Sequence, residues 1–584
     1  MSYDIIIGRD KSDKEKFGKR GLVHLGKTYV TMGAYTSLSN NIYMDIARSH
    51  VILVAGKRGC LTGDTLVFTN KGYKKIEDFK EKEDKILSFN KEKKEFEWEK
   101  AELLKYPVKN ENLLKIELKD GRIINLTKEH PLLVTTGKGL LSLSWIEARN
   151  LKEGDNLLSV KEKDKNITPI EIRNITEISG IKEVYDLSVD KNHSFIANGI
   201  ISHNSGKSYT LGVLAEELSN LPPETSGNIA SLIFDTMGIF WTMKFKNDKD
   251  KYLLKDWGLE TKNLPVKIYA PFGKMKEYKD KNIPVDSAFA LKPSELEAED
   301  WIIAFNLEMT SPAAVAIQKA ITKLKDTNFT IKEIISQIEK EEKVSNEHKN
   351  TAISLFEAAE SWGIFSTEKE GTEITDLIEP GKTTIIDLSV YSSLGAFNVR
   401  GLAIGLISKK LFKERIDARK KEEIQSINHG IDYLSYTPKR DTPLVWMFID
   451  EAHEFLPKEG KTPATEALVQ ILREGRQPGL SLVLATQQPG EIHKDVLTQS
   501  DIVISHRVTS EPDIKALNTM MQSYLLESIN KSMNNLPSLK GSAIILDDNS
   551  ERIYPVRIKP RFTWHGGEAP TAIKADSDFL KENS

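Results

Sequence analysis

The spacing of apolar and polar residues divides the chain into three patterns. Residues 49–59, SHVILVAGKRG, predict a buried strand that runs into a glycine-rich turn. From residue 60 to about 204 the pattern changes to short β-prone runs separated by Gly, Asn, Asp and Lys, which predict an all-β domain built from hairpins. A helical pattern resumes at Ser205 in SGKSYTLGVLAEELSNL, where apolar residues recur with the spacing of one helix face.

The remainder of the chain alternates apolar strands with helical stretches. The strand-like runs are SLIFDTMG, TTIIDLSV, PLVWMFIDE, LSLVLATQ, DIVISHRV and GSAIILD. Residues 291–363 are mostly helical by pattern. This alternation predicts a mostly parallel sheet covered by helices, an α/β fold. One basic stretch, KKLFKERIDARKK, is more typical of a charged solvated helix than of a DNA contact.

Composition narrows the class of protein. With 39% hydrophobic residues among 584, the chain can form several cores, and we expect two or three domains. The 82 Lys and Arg nearly balance the 85 Asp and Glu, so any contact with nucleic acid needs a local basic patch. Neither a signal peptide nor a membrane-length apolar run is visible, which favours a cytoplasmic protein without membrane association. The single cysteine, Cys60, cannot form an internal disulfide and needs its own explanation.

An interrupted phosphate-binding loop flanks the all-β segment. Each half alone is more simply a basic turn or a helix start. Removing residues 60–204 gives VILVAGKRGSGKSYTLGVLAEEL, which has the strand, glycine-rich loop and helix that the Walker A pattern G-x-x-x-x-G-K-[ST] requires. Lys207 would reach the β and γ phosphates of ATP, Ser208 would bind Mg²⁺, and the uncut chain would bind ATP poorly. The residues of the joined loop are Gly56, Lys57, Arg58, Gly59, Ser205, Gly206, Lys207 and Ser208.

Three blocks of residues 60–204 resemble an intein. CLTGDTLVFTNKG is similar to the N-terminal splicing block, and GRIINLTKEHPLLV is similar to the block with a Thr-x-x-His pair. VYDLSVDKNHSFIANGIISHN, followed by Ser205, is similar to the C-terminal blocks. The resemblance implies a β-rich Hint fold and a mini-intein, since nothing resembles a homing endonuclease. Each residue alone has a plain alternative, such as a buried thiol or a loop histidine, but their order and spacing favour splicing.

The chemistry of splicing gives each boundary residue a reason to be present. The Cys60 thiol can attack the Gly59 carbonyl and convert its amide to a thioester. Ser205 then attacks the thioester, and Asn204 closes its side-chain amide onto its own carbonyl to release the intein. The family resemblance adds helper residues to these steps. They are His130 as proton donor to the Cys60 nitrogen, Thr127 for the developing oxyanion, His193 and His203 as acid and base partners of Asn204, and Asp186 as the acidic residue that couples the two ends.

A second nucleotide motif lies in VWMFIDE, where an apolar strand ends in two carboxylates. Asp450 would hold Mg²⁺ through its water shell, and Glu451 would polarise the attacking water. Alone, this pattern fits a strand whose Asp caps the next helix equally well, and the Walker A loop upstream favours function. LSLVLATQQPGEI resembles the sensor strand of P-loop ATPases of this class, in which Gln487 would be suited to reading the γ-phosphate. SLIFDTMG resembles the turn of the same class in which an Asp, here Asp235, follows an apolar strand, and a plain capped turn is the alternative.

The run LREGRQPGLSLVLATQQPGEIHKDVLTQSDIVISHRV resembles HerA-type translocases. That resemblance implies a RecA-like P-loop ATPase that translocates on double-stranded DNA as a homo-hexamer, with a possible nuclease partner. It also implies a trans-acting arginine finger, for which both Arg473 and Arg476 remain open. Few residues precede the loop, so the β-barrel of fuller relatives, and docking of a nuclease through it, are in doubt.

The predicted organisation has an intein between two exteins. The segments are an N-extein at 1–59, a mini-intein at 60–204, and a C-extein at 205–584 with a helical insertion at about 291–363 and the Walker B and sensor region at 445–520. Two alternatives stay open. The motor could belong to a secretion or conjugation pump, or the inserted module could be inactive or cleavage-only within a scaffold protein.

Overall fold

Two β-sheets organise the chain. The computed structural model describes residues 4–566 except 33–34, 57–60, 81–82, 91–94, 100, 108–112, 128–129, 136–142, 149–150, 161–166, 182, 190–193, 204–206, 326, 392–398, 430–439, 507–514, 518–535 and 538–540. Within these residues, strands before residue 57 and after residue 206 form one sheet, which we call the host sheet. Strands between residues 61 and 203 form the other, which we call the insert sheet.

The strands follow one another in chain order. They are β1 Ile5–Ile7, β2 Leu22–Met32, β3 Tyr35–Asp45, β4 Val51–Ala55, β5 Leu61–Thr62, β6 Leu66–Thr69, β7 Gly72–Lys75, β8 Ile86–Asn90, β9 Glu95–Glu99, β10 Ala101–Pro107, β11 Leu113–Leu118, β12 Ile123–Leu126, β13 Pro131–Thr135, β14 Leu143–Glu147, β15 Asn156–Val160, β16 Ile167–Ile178, β17 Glu183–Val189, β18 Ser194–Ala197, β19 Ile200–His203, β20 Ile229–Asp235, β21 Lys267–Pro271, β22 Ser287–Phe289, β23 Thr383–Asp387, β24 Leu444–Ile449, β25 Leu480–Thr486, β26 Ile502–Ser505, β27 Ser542–Asp547 and β28 Arg552–Ile558.

The α-helices all lie outside the insert sheet in the described part of the chain. They are α1 Lys11–Phe17, α2 Lys207–Ser219, α3 Pro223–Ser226, α4 Lys251–Asp256, α5 Met275–Asp280, α6 Ala298–Ala304, α7 Pro312–Leu324, α8 Ile331–Glu339, α9 Asn346–Ser361, α10 Ile374–Leu377, α11 Val399–His429, α12 Thr465–Glu474 and α13 Lys494–Gln499.

The host sheet has a parallel centre, as the alternation of strands and helices predicts. Its order is β1-β3-β2-β28-β27-β26-β4-β25-β24-β20-β23-β21-β22, and the neighbours from β26 to β22 are parallel. Successive residues of β4 enter different cores, with Val51 and Leu53 on one face and Ile52 and Val54 on the other. Burial of both faces explains why these strands read as continuous apolar runs.

The N-terminal segment belongs to the host sheet. Strand β2 pairs with β3 and with β28, and β4 lies between β25 and β26. The residues before the insert therefore complete a sheet whose other strands follow it. The host fold is assembled across the interruption.

The predicted helical insertion is present as four helices, α6 to α9. A capping box at Thr330 and Glu333 begins α8, because each side chain binds a backbone N–H that the helix leaves unpaired. Trp301 is fully buried against Phe305, Phe356 and Phe365. A bridge between Leu291 and Phe365 brings the two ends of the insertion together.

The basic stretch KKLFKERIDARKK lies on α11, and its interpretation as a solvated helix is wrong for one residue. Arg415 is fully buried. Its Nε donates to the Pro478 carbonyl and its Nη1 to the Thr442 carbonyl, both at 2.8 Å. Lys413 and Lys420 on the same helix are exposed. Long-range pairing buries Arg415, and charge counting along the helix does not reveal it.

The insert is β-rich, as predicted. Its sheet has the order β10-β17-β5-β12-β11-β16-β15-β13-β19-β18-β6-β8-β9, with β14 on β13 and β7 on β6. A buried core that includes Leu61, Ile116, Leu132 and Leu187 lies inside it. Short strands with hairpin turns, such as the turn at Gly121 with φ of 88°, account for the Gly and Asn that separate the apolar runs.

Candidate nucleotide and splice sites

The carboxyl ends of the parallel host strands meet at one edge of the sheet. Gly56 follows β4 there, and its N–H donates to the Thr486 carbonyl at 3.3 Å. Asp450 and Glu451 follow β24, and Gln487 follows β25. Open α/β sheets bind ligands at this edge. Topology therefore brings one predicted loop residue together with three predicted motor residues.

Ser208 reaches this edge from the first turn of α2. Its Oγ donates to Asp450 Oδ2 at 2.9 Å, and the Asp450 Oδ1 accepts the Glu451 N–H at 2.9 Å. A serine hydroxyl and one carboxylate are the protein groups that Mg²⁺ uses beside phosphates and water. The described residues contain no cluster of three or more His, Cys, Asp or Glu suited to a metal ion. The pair Ser208 and Asp450 thus fits a metal that is held mainly by its substrate.

Glu451 has a strained backbone, and a hydrogen bond fixes its side chain. Its φ of 50° lies in the left-handed region, which non-glycine residues rarely adopt outside functional turns. The Gln487 amide donates to its Oε1. Its buried Oε2 has no hydrogen-bond partner in the described structure and lies 3.6 Å from His453 Nδ1.

His453 was missed by the sequence reasoning. Its Nδ1 lies 3.2 Å from Thr486 Oγ1 as well as near Glu451. Its position two residues after Glu451, in a tight turn, was the available signal. His453 and Gln487 therefore flank the two oxygens of the same carboxylate.

Asp235 caps the turn that follows β20, which is one of the two roles that the sequence predicts for it. Its carboxylate accepts the N–H groups of Met237, Gly238, Ile239 and Phe240. Burial, and after it the charge of Asp387 at the end of the neighbouring strand, raise the pKa of Asp235 to about 7. Burial also raises the pKa of Asp387.

Both arginine-finger candidates lie away from the strand edge that carries Asp450. Arg473 is in the last turn of α12, and its Nε donates to Asp495 Oδ2 at 2.7 Å. Arg476 precedes β25, donates to the Gln499 carbonyl, and lies 3.6 Å from Asp501. Their side chains are 56% and 43% exposed. A trans-acting role for either stays a prediction.

Several residues of the predicted nucleotide loop and of the predicted splice site lie outside the described residues. They are Lys57, Arg58, Gly59, Cys60, His193, Asn204, Ser205 and Gly206. Lys207 begins α2, Asp186 lies in β17 and His203 ends β19. The roles of all these residues stay predictions.

Backbone pairing nevertheless gathers the neighbours of the predicted splice residues. Leu61, which follows Cys60, pairs with Leu126 of β12 and with Tyr185 of β17. Those partners are adjacent in sequence to Thr127 and Asp186. Leu132 of β13 pairs with Ser202 of β19, the residue before His203. Strands from distant parts of the insert thus converge near both of its ends.

Thr127 and His130 lie in one turn between β12 and β13. The His130 N–H donates to the Thr127 carbonyl at 3.0 Å, and the His130 carbonyl accepts the Ala148 N–H at 3.0 Å. Thr127 is 7% exposed and His130 is fully buried. Thr127 and His130 are therefore both buried and joined by one backbone hydrogen bond.

Comparison with known families assigns the two parts of the chain. The family model of the intein splicing domain matches residues 66–204, and the model of the helicase HerA central domain matches residues 205–399. This chain is a HerA-type protein interrupted by an intein. The model of zonular occludens toxin also matches residues 393–528, so the second half of the HerA-type region resembles more than one family.

Curated relatives match the chain only in part. A probable DNA double-strand break repair helicase HerA of Methanocaldococcus jannaschii is 30% identical over 151 residues, which are 23% of this chain and 30% of that protein. The DNA double-strand break repair helicase HerA of Pyrococcus furiosus is 27% identical over 187 residues, 29% of this chain and 31% of that protein. The chain thus spans about three tenths of the length of these relatives.

One of the similar solved structures is that of an intein. The DnaX mini-intein from Spirulina platensis is 28% identical and covers 25% of this chain and 99% of its own, with a TM-score of 0.22. In the HerA-type region, no described helix combines the length and apolarity needed to cross a membrane.

Helix α2 of the HerA-type region is anchored at its far end by a buried network that the sequence did not reveal. Glu216 and Arg561 are both fully buried, and Arg561 Nε donates to Glu216 Oε1 at 2.7 Å. Glu216 also accepts the N–H groups of Phe562 and Thr563 at 3.0 and 3.2 Å. A Cβ at Gly212 would lie 2.4 Å from Arg561 Nη1, which explains a glycine inside this helix.

Proposed function

We propose that the chain is the self-splicing precursor of a HerA-like motor that uses ATP and Mg²⁺ to translocate on double-stranded DNA. The observation that carries the proposal is the hydrogen bond from Ser208 to Asp450. It joins the second half of an interrupted phosphate loop to the Walker B carboxylate. Gly56, the first residue of the first half, is anchored at the same sheet edge. Ligation of Gly59 to Ser205 would complete the loop between these two anchors.

Splicing would begin with the Cys60 sulfur. It bonds to the Gly59 carbonyl carbon and breaks the amide, and His130 supplies a proton to the departing Cys60 nitrogen. The Ser205 oxygen then displaces the Cys60 thiolate and forms a branched ester. Asn204 attacks its own backbone carbonyl through its side-chain nitrogen, which cleaves the Asn204–Ser205 bond and releases the intein as a succinimide. Transfer of the Gly59 acyl group from the Ser205 oxygen to its nitrogen leaves an ordinary peptide bond.

The roles of Asp186, His193, His203 and Thr127 complete this proposal. Thr127 would stabilise the oxyanion at the first junction. His193 and His203 would move protons during the closure of Asn204, and Asp186 would couple the two ends. The support is the pairing that places the neighbours of Thr127 and Asp186 on either side of Leu61.

Intact mass spectrometry of boundary variants tests the splicing roles. Cys60→Ala should leave the chain at full length, because no thioester can form. Asn204→Ala should stall at the branched ester, which keeps the full mass and runs anomalously on a denaturing gel. Asn174→Ala, at an exposed position of β16, is the matched control and should splice like the unaltered chain. Normal ligation in both boundary variants would refute these assignments.

After ligation, the motor site would be built from both exteins. Mg²⁺, when bound, would neutralise phosphate charge and orient the β and γ phosphates. Ser208 and Asp450 would hold it, and Lys207 would contact the phosphates together with the loop N–H groups. Glu451 would accept a proton from the attacking water through its Oε2, while Gln487 holds the other oxygen. Arg473 or Arg476 would act on the nucleotide of a neighbouring subunit in a homo-hexamer.

Replacing Glu451 separates binding from hydrolysis. Glu451→Gln keeps the size of the side chain and removes the base, so hydrolysis should fall by at least about 100-fold while ATP still binds. Glu459→Gln, at an exposed position of the following loop, is the control and should hydrolyse ATP normally. Equal rates in the two variants would exclude Glu451 as the base.

The DNA substrate is proposed from the matched relatives, whose names describe DNA double-strand break repair helicases. A cytoplasmic location and a nuclease partner belong to the same proposal. The match to the zonular occludens toxin model keeps one alternative open, in which the chain is the ATPase motor of a secretion or conjugation pump. Stimulation of hydrolysis by linear duplex DNA decides between them. Stimulation supports translocation on DNA, and its absence with both duplex ends and circles supports the alternative.

A further inference from the structure

His506 joins three elements around the proposed phosphate loop. It follows β26, and its N–H donates to the Ala55 carbonyl at 2.8 Å, one residue before Gly56. Its ring lies between α2 and β27, with Nε2 2.7 Å from Thr210 Oγ1 and Nδ1 3.0 Å from the Ser542 carbonyl. The residue is 5% exposed. Ala55 and Thr210, on the two sides of the intein, are thus linked through the backbone and the side chain of one residue.

The partners of the ring define the direction of its hydrogen bonds. A carbonyl oxygen only accepts, so Nδ1 carries the hydrogen that bonds to Ser542. In the neutral ring, Nε2 is then the acceptor and the Thr210 hydroxyl donates to it. Each of the two hydrogen bonds of the His506 ring thus has a defined donor. Together they fix the position of Thr210 relative to β26 and β27.

Thr210 lies in the first turn of α2, two residues after Ser208. We propose that His506 is a positioning residue of the nucleotide site, which it serves by holding the first turn of α2 through Thr210. This inference rests on the proposed ATPase function. The bond from Ser208 to Asp450 and the approach of Lys207 to phosphate both depend on the orientation of that turn.

The other end of α2 is held independently. Glu216, nearly two turns after Thr210, is fixed by Arg561 and by backbone N–H groups. Glu217 accepts the His24 N–H at 3.0 Å. Loss of the His506 bridge should therefore leave the helix docked and disturb only its first turn. A change in nucleotide affinity without loss of folding is the result that distinguishes positioning from general stability.

Two substitutions at residue 506 separate the two ends of the bridge. His506→Asn can place an amide near the Nδ1 position but does not reach Thr210. His506→Gln can place an amide near the Nε2 position and restore that contact. At residue 210, Thr210→Val removes the hydroxyl at constant shape, and Thr210→Ser retains it.

The test measures the Kd of a fluorescent ATP analogue and the KM and kcat of ATP hydrolysis, in the protein as isolated from cells. His506→Asn and Thr210→Val should each raise Kd and KM by about fivefold, the effect of one lost hydrogen bond. They should change kcat by less than about twofold, because such a loss of uniform binding leaves the chemical step unaffected. The double variant should be no worse than either single variant. His506→Gln and Thr210→Ser should restore affinity.

Three results would overturn the inference. The first is an unchanged Kd in His506→Asn, and the second is additive effects in the double variant. The third is an equal loss of nucleotide binding in all four variants, accompanied by a fall in their thermal unfolding midpoints that explains it. If the unaltered protein binds no ATP, the proposed function fails and this inference fails with it. If the unaltered protein binds and hydrolyses ATP while His506→Asn behaves identically, only the role of His506 is wrong.

Discussion

Removal of Arg561 should strongly destabilise the host fold. The guanidinium is fully buried and donates to Glu216 at 2.7 Å, to Thr563 Oγ1 at 3.0 Å and to His565 Nδ1 at 3.0 Å. Arg561→Met retains the length of the side chain and removes all three contacts. Glu216, also fully buried, would keep backbone donors but lose its counter-charge.

The expected loss is about 3–5 kcal/mol of unfolding free energy, the usual cost of breaking a buried ion pair by removing one partner. Urea unfolding followed by circular dichroism measures it, with the chain as expressed and the variants compared in parallel. Lys19→Met is the control, because the pair of Lys19 with Asp4 is a surface pair with Lys19 79% exposed, and it should cause no measurable change.

A second variant checks the mechanism of that loss. The double substitution Glu216→Gln with Arg561→Met leaves no uncompensated buried charge, so it should be more stable than Arg561→Met alone. If Arg561→Met and the Lys19→Met control unfold at the same urea concentration, the reasoning is refuted.

Two further predictions concern buried charges elsewhere in the host sheet. Burial alone would lower the pKa of His50, but hydrogen bonds to Asp45 and Asp501 outweigh it and raise the pKa to about 9. Because the folded pKa is above the unfolded value of about 6.5, His50 should contribute stability fully below pH ~6.5. That contribution should disappear as pH rises through about 9, so the unfolding free energy of the unaltered chain should fall over this range more than that of His50→Gln. Arg415→Met should lower the unfolding free energy by about 2 kcal/mol, because the Pro478 and Thr442 carbonyls lose their donor. Lys413→Met on the exposed side of α11 should have little effect, and equal effects of the two variants would restore the solvated-helix interpretation.

Local patterns were sufficient to predict the strands of the host sheet. The apolar run 51–55 and the glycine-rich turn after it are one continuous signal, and so is the run 444–449 that ends at Asp450. Fully buried parallel strands leave such runs because both of their faces pack. The joined loop stays a prediction, which rests on two half-motifs separated by a segment of different pattern.

Long-range polar contacts were not predictable from the sequence. Arg561 and Glu216 are 345 residues apart in the chain, and His506 and Thr210 are 296 apart. No spacing rule connects such pairs, and each residue alone is typical of a surface or a loop. Arg415 was misjudged for the same reason, since the carbonyl of Pro478 that binds it lies 63 residues further along.

Some residues of the candidate site could also be predicted from the sequence, and others could not. Asp450, Glu451 and Gln487 could be placed together because parallel strand ends share an edge. His453 required the turn geometry around Glu451, whose left-handed backbone the sequence does not specify. The convergence of β5, β12 and β17 in the insert depends on pairings between distant strands, which motif order alone only implies.

The intact mass of the protein isolated from expressing cells tests the central claim most directly. Self-splicing predicts two species, one made of residues 1–59 joined through Gly59 to residues 205–584, and the other made of residues 60–204 ending in a succinimide. A single species with the mass of the whole 584-residue chain, together with normal ATP hydrolysis, would contradict it.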